Sequence, residues 1–232
     1  DDFSDFGGAR TWSLSGSRKL VDSLAFFARF ATSFAPPQAN DLYGVWGNPS
    51  LDPEEAKSRE VGLKGTGEDW SWRLGAYRTD FHDLIAWGGF TTANVGRARA
   101  EGIEFSAQRG FEGFMLRAGY AYGEAWDEVA SVRLLRRPRH SGSLAVERRN
   151  EEFGFGVELS WVADREDLDG APPYGAIEGE DYLVARVYGQ TELGESASLY
   201  GRVENLFDEE YAEADGYPAL GLGVYGGVRY SF

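Results

Sequence analysis

The stretch from Phe153 to Val162 reads FGFGVELSWV. Phe153, Phe155, Val157, Leu159 and Trp161 are apolar, and Gly154, Gly156, Glu158 and Ser160 lie between them. Period two sends successive side chains to opposite faces of a strand, here one apolar and one polar. The same pattern recurs outward from this stretch. Phe114, Leu116, Ala118, Tyr120 and Tyr122 alternate with Met115, Arg117, Gly119, Ala121 and Gly123. Leu183, Ala185 and Val187 oppose Arg186, Tyr188 and Gln190. Leu199, Gly201 and Val203 oppose Tyr200, Arg202 and Glu204, and Ile103, Phe105 and Ala107 oppose Glu104, Ser106 and Gln108.

Extended over the chain, the alternation predicts about eleven strands, at 11–20, 24–35, 58–66, 69–83, 96–109, 112–125, 138–149, 152–165, 180–193, 196–207 and 221–232. Several exceed the ~5–6 residues usual in soluble sheets. They match the ~9–11 residues that a tilted strand needs to cross a bilayer. The connections alternate as well. Short ones are expected at 21–23, 65–68, 110–111, 150–151 and 194–196, and long ones at 36–57, 84–95, 126–137, 166–179 and 208–220. Tight turns at one end and long loops at the other suit a transmembrane barrel, with periplasmic turns and extracellular loops. The other architecture with this periodicity is a large soluble antiparallel sheet with one wet face.

Composition excludes several classes. The 232 residues hold 23 Lys and Arg against 38 Asp and Glu, a net charge of −15. That disfavours a phosphate-backbone partner and polybasic attachment to anionic lipid. There is no Cys, so neither a disulfide framework nor a thiolate nucleophile is available, and two His leave little for a metal centre. No run of ~18 apolar residues predicts a transmembrane helix. The acidic start DDFSDFGG is unlike a signal peptide. The mean hydropathy of −0.41 looks soluble, but a β-barrel hides its apolar face in alternation. Gly is 31 of 232, about twice its usual ~7%, and 15 Phe, 12 Tyr and 7 Trp enrich the aromatics.

Glu104, Arg117, Glu158, Arg186, Arg202 and Glu204 fall mid-strand, opposite the apolar sets. In a sandwich core each would cost on the order of several kcal/mol unless paired, whereas a barrel offers a polar lumen. Trp12, Phe34, Trp70, Trp72, Tyr122 and Trp161 fall near strand ends, where an aromatic girdle belongs. The last strand closes with Val228, Tyr230 and Phe232 on one face, similar to the signal read by the outer-membrane barrel assembly machinery. Eleven strands do not close a hairpin barrel, since single-chain bacterial barrels have even counts and an open one leaves two edges in lipid. A portion of something larger is expected.

These segments also carry a family resemblance. SFAPPQANDLYG (33–44) and GNPSLDPEEAKSREVGLKG (47–65) resemble the F-x-A-P, N-D-L-Y and N-P-x-L-x-P-E stretch of TonB-dependent outer-membrane receptors. YRTDFHDLIAW (77–87), NVGRARAEGIEFSA (94–107), LLRRPRHSGSLAVE (134–147) and VENLFDEEYAEADGYPALGLGVYGGVRYSF (203–232) resemble later parts of the same family, in order and spacing. The resemblance implies an all-β, transmembrane, antiparallel up-and-down barrel. Residues 1–232 would be the C-terminal half of a barrel of about 22 strands, without the plug domain. It also implies a place in the bacterial outer membrane, loops extracellular and C-terminus periplasmic, with TonB, the assembly machinery and membrane lipid as partners. Pro36 and Pro37 end a strand, Asn40 and Asp41 suit a turn or helix start, and Pro53-Glu54-Glu55 reads as the start of a short helical turn. An ordered 36–57 loop is expected, its motif residues serving loop architecture before ligand contact.

Within the family, N-D-L-Y at 40–43, D-L-I at 83–85, L-L-R-R at 134–137 and N-L-F-D-x-x-Y from 205 resemble cobalamin receptors. Ferric siderophore receptors are the alternative. Haem receptors place a His between the loop motifs, and 35–48 has none. His82 and His140 read as solvated or hydrogen-bonded side chains. Arg99, Arg133, Arg136, Arg137 and Arg139 could form a basic rim, or pair with loop acids. Large, partly apolar ligands favour aromatic contacts, which nominates Tyr43, Trp46, Trp87, Phe90, Trp126, Tyr174 and Tyr217. No cofactor, metal site or nucleic-acid partner is expected. No nucleophile–base motif surrounds either His, so the reading is a receptor and transporter rather than an enzyme. A stand-alone or engineered scaffold and a passive pore are the other function classes.

Overall fold

The computed structural model describes residues 2–3, 6–87, 90–150, 152–172, 175–194 and 196–231. In chain order the strands are β1 (Asp2–Phe3), β2 (Gly7–Gly8), β3 (Ser13–Val21), β4 (Leu24–Ala35), β5 (Glu54–Thr66), β6 (Trp70–Trp87), β7 (Thr92–Phe111), β8 (Phe114–Asp127) and β9 (Val132–Arg133). Then follow β10 (His140–Arg149), β11 (Phe153–Ala163), β12 (Arg165–Leu168), β13 (Ala176–Gly179), β14 (Tyr182–Glu192), β15 (Ala197–Glu204), β16 (Ala212–Ala214), β17 (Tyr217–Pro218) and β18 (Gly223–Tyr230). One helix, α1 (Ala39–Tyr43), falls between β4 and β5.

Eleven strands hydrogen-bond in the order β18-β15-β14-β11-β10-β8-β7-β6-β5-β4-β3, with the short β9 on β8. Each long strand therefore pairs with the long strand next to it in sequence, and every pairing whose register is resolved is antiparallel. This is the all-β, up-and-down sheet that the alternation predicts. The chain divides into two compact units. Unit 1 is Asp1–Lys64, Gly75–Ile103 and Gly123–Arg137, and unit 2 is Gly65–Leu74, Glu104–Tyr122 and Pro138–Phe232.

In unit 2 the register shows why these residues make this sheet. Leu116, Val146, Val157, Val187, Val203 and Val224 are direct cross-strand partners in one continuous row. The next row runs Ala118, Leu144, Leu159 and Ala185. β-branched pairs of this kind are favourable on a pleated surface. Yet the row is not covered: Val157 is 41% and Val224 74% exposed. A row of uncovered aliphatics this long fits hydrocarbon as its solvent rather than water. The other face carries a polar row of Met115, Glu147, Gly156, Tyr188, Arg202 and Tyr225.

Two glycines on β10 and β11 are required by close approach. A Cβ on Gly156 would lie 2.6 Å from the Tyr188 ring, which crosses that position. A Cβ on Gly142 would collide with the Trp161 indole on the opposite face. Each aromatic thus fills the notch its neighbour leaves.

In unit 1, Ser13 to Lys19 of β3 pairs with Ala31 to Ala25 of β4. Phe27 is buried on one face of β4, while Phe26 on the other is 41% exposed.

Several expectations need correction. β6 runs to Trp87 and β7 starts at Thr92, so the long connection expected at 84–95 shrinks to 88–91. Pro53-Glu54-Glu55 starts no helical turn, because β5 begins at Glu54 and its carboxylate accepts the Ile85 backbone N–H at 2.6 Å. The helical turn sits at α1 instead, where Asn40 and Asp41 suited one. The loops expected at 166–179 and 208–220 contain the hairpins β12–β13 and β16–β17. Tyr174 and Phe232 lie outside the described residues.

Candidate functional site

The loops of unit 1 are built rather than slack. The Gln38 backbone N–H donates to the Asp41 carboxylate at 3.0 Å and opens α1. Leu42 and Leu51 of the loop itself are buried. Asn94 clamps it from β7: its Oδ1 accepts the Asp52 N–H at 2.9 Å, and its Nδ2 donates to the Asp52 and Asp83 carbonyls at 3.0 and 2.7 Å. The Trp46 carbonyl accepts the Thr91 hydroxyl at 2.9 Å and the Thr92 N–H at 3.0 Å. These bonds bring two nominated aromatics together. The Trp46 and Trp87 rings meet edge to face, with centroids 6.2 Å apart. Both are exposed, as are Tyr43, near Trp46 in sequence, and Phe90, next to Thr91. Trp126 is placed otherwise: it lies within β8, half-buried, with its indole N–H 3.4 Å from Glu124.

In unit 2 the two long loops interlock. Asp167 is 1% exposed and accepts the Asp215 N–H at 2.8 Å, while Asp215 accepts the Gly170 N–H at 2.7 Å. Glu180 accepts the Ala212 N–H at 2.8 Å, and the buried Arg165 donates to the Ala212 carbonyl at 2.7 Å. Tyr182 stacks on Tyr211, centroids 4.1 Å apart. Burial, and then the Glu213 carboxylate, hold the Tyr211 phenol above its ordinary range. Tyr217, in β17, is 76% exposed on this loop pair. Asn205 anchors the second loop. Left-handed at φ 49° and 3% exposed, it accepts the Glu209 N–H and donates to the Glu209 and Leu220 carbonyls. Sequence reading caught Asn205 only as part of a motif. It missed Asp167 and Arg165, whose partners lie more than forty residues away.

Most of the mid-strand charges are paired with a neighbouring charge. Arg117 pairs with Glu147, Arg186 with Glu158, and Arg202 with Glu204 at 3.1 Å. Tyr188 donates its hydroxyl to Glu147 across Gly156. The expected basic rim is partly committed to acids: Arg99 pairs with Glu128, and Arg139 with Asp164 at 2.9 Å. His82 Nδ1 lies 3.1 Å from Asp83, and His140 Nδ1 lies 2.8 Å from the Tyr120 hydroxyl. No group of three or more His, Cys, Asp or Glu able to hold a metal ion occurs among the described residues. Of the terminal-strand residues, Val228 and Tyr230 are described and exposed on one face of β18.

Comparison with known proteins places this architecture. The family model described as "TonB dependent receptor-like, beta-barrel" matches residues 1–206. A mutant of the ferric enterobactin receptor PfeA from Pseudomonas aeruginosa superposes with a TM-score of 0.78 at 18% identity, over 99% of this chain and 41% of that one. The ferric-catecholate import receptor Fiu from E. coli gives 0.74 at 20%, over 96% and 35%. The copper transporter OprC gives 0.76 at 18%, over 95% and 39%. The chain therefore spans about two fifths of such structures, and the likeness shows a shared fold. The matched family is one of outer-membrane receptors and transporters rather than enzymes, and this chain belongs to it: the TonB-dependent receptor-like β-barrels.

Proposed function

We propose that this chain forms barrel wall and capturing loops of a receptor that takes up a scarce metal chelate, with TonB supplying the energy. The observation that carries the reading is the exposed Trp46–Trp87 pair, held by a hydrogen-bonded loop, with Tyr43 and Phe90 exposed nearby in sequence. Pre-ordered aromatic surface suits a large ligand with apolar rings, because little ordering entropy is lost on capture. In this reading the long loops face outward and the C-terminus faces the periplasm. The plug and the TonB contact belong to parts of the receptor other than residues 1–232. The assembly machinery reads the last strand, on which Val228 and Tyr230 share a face.

A ferric siderophore is the favoured ligand class, since the neighbouring structures include ferric-catecholate and ferric enterobactin receptors. Cobalamin, itself a metal chelate, is the second reading and rests on the motif resemblance at 40–43, 83–85, 134–137 and 205–217. The test is quenching of intrinsic Trp fluorescence in the full receptor, titrated with a ferric catecholate and with cyanocobalamin. Trp46→Ala should weaken binding of the preferred ligand about tenfold, the scale of an aromatic hot spot. Unchanged affinity for both would remove the loop pair from the site.

A further inference from the structure

The chain holds two Asp-Gly pairs, and both lie in the interlocked loops of unit 2. Asp169-Gly170 follows β12, and Asp215-Gly216 makes the turn between β16 and β17. Aspartate before glycine is open to attack on its own side chain, because glycine has no Cβ to shield its backbone nitrogen.

The two pairs are held differently. Asp169 bends forward: its Oδ1 accepts the Ala171 N–H at 2.8 Å, two residues on, which folds the carboxyl over the intervening Gly170 nitrogen. Its own N–H is fixed on the Gly175 carbonyl at 2.9 Å. The Gly170 N–H donates to Asp215 Oδ2 at 2.7 Å, and the Asp215 N–H is fixed at 2.8 Å on the buried Asp167. A Cβ on Gly170 would lie 3.2 Å from that same Asp215 oxygen, so the bare residue lets the carboxylate come in. Asp215 thus places its carboxylate across the loops and not on its own glycine. Gly216, left-handed at φ 80°, donates its N–H to no acceptor among the described residues.

The parts of an acyl transfer therefore meet at Gly170. A carboxyl carbon lies beside an amide nitrogen, a carboxylate holds that nitrogen's proton, and a backbone N–H sits on the oxygen where negative charge develops. We propose that Asp169-Gly170 is a self-modification site at which the chain isomerises to isoaspartate. The Gly170 nitrogen attacks Cγ of the protonated Asp169 carboxyl. Its proton passes to Asp215 and on to the departing hydroxyl. A C–N bond forms, the C–OH bond breaks and one water leaves. Water then opens the cyclic imide at the main-chain carbonyl, which restores that water and routes the backbone through the side chain. The product has one more methylene in the main chain between residues 169 and 170. That draws the Gly170 N–H off Asp215 and releases the tie between the segment after β12 and the turn of β16–β17.

The test is ageing of the full receptor at neutral pH, folded in detergent or unfolded in guanidinium chloride. Isoaspartate is counted peptide by peptide, through methyl transfer from S-adenosylmethionine by a protein isoaspartyl methyltransferase. The folded receptor should gain label in the Asp169 peptide about tenfold faster than the unfolded one, a modest part of what a positioned base and a fixed geometry supply. Equal or slower labelling of that peptide in the folded receptor, or label confined to the Asp215 peptide, overturns the proposal. Asp215→Ser removes the proton acceptor and should bring the folded rate down to the unfolded one. An unchanged folded rate would remove Asp215 from the reaction. Backbone hydrogen exchange at Gly170 should rise with the labelled fraction, and constant exchange would show that the loops do not part.

Discussion

In unit 2, Arg117, Glu147, Glu158, Arg186 and Tyr188 lie on the face opposite the row from Leu116 to Val224. In unit 1, Arg59, Arg78, Asp80 and Arg99 lie on the face that also carries Phe30 and Val61. Both are networks of arginine and carboxylate on neighbouring strands. The first follows from alternation, because charge has been sorted to one side of each strand. The second breaks alternation along the strand, and the break marks where the apolar solvent stops. Position along a strand, and not only parity, decides what a charge means in this sheet.

That contrast can be broken by moving a charge. Val157→Arg puts a cation in the middle of the apolar row and should cost about 2–4 kcal/mol in urea unfolding from lipid vesicles. Ser160→Arg, one strand face away, should cost under about 1 kcal/mol. Equal costs would mean that the two faces of β11 are not solvated differently. A smaller effect comes from the notch. Gly156→Val drives a branched side chain into the Tyr188 ring and should cost about 1–3 kcal/mol. Adding Tyr188→Ala should recover part of that loss, and strict additivity would show that the two side chains do not share the space. The smallest effect is expected from Arg117→Ala. Its side chain is 49% exposed and that of Glu147 is 32% exposed, so the lost pair should register as under about 1 kcal/mol.

The eleven strands were legible because alternation survives wherever one face meets hydrocarbon and the other meets polar groups. It fades where both faces carry the same kind of residue. That is why β6 and β7 were read too short: β6 continues through Leu84, Ile85, Ala86 and Trp87, apolar on either side, and β7 opens with Thr92, Ala93, Asn94 and Val95, where no alternation shows. Pro53-Glu54-Glu55 misled for a different reason. Its local chemistry suits a helix start, but the Glu54 carboxylate is taken by the backbone of Ile85, thirty-one residues away. The hairpins β12–β13 and β16–β17 are too short to show a period, and their holding contacts are long-range. In the candidate site, the aromatic residue types were readable but their grouping was not. Trp46 and Trp87 meet through Thr91 and Thr92, whereas Trp126 is drawn into β8.

The Tyr188–Gly156–Glu147 bridge carries information that the apolar pattern lacks. A one-residue slip between strands would turn every side chain to the wrong solvent and is forbidden by hydrophobicity. A two-residue slip keeps each side chain on its proper face, and alternation is blind to it. The bridge is not blind. Slide β14 by two toward Gly154 and Tyr188 still finds a glycine to cross, but beyond it stands Arg149, which can only donate, in place of the accepting Glu147. Slide it the other way and Glu158 stands where the notch should be. One tyrosine, one missing side chain and one carboxylate on three consecutive long strands thus single out one register among those that keep every side chain on its proper face.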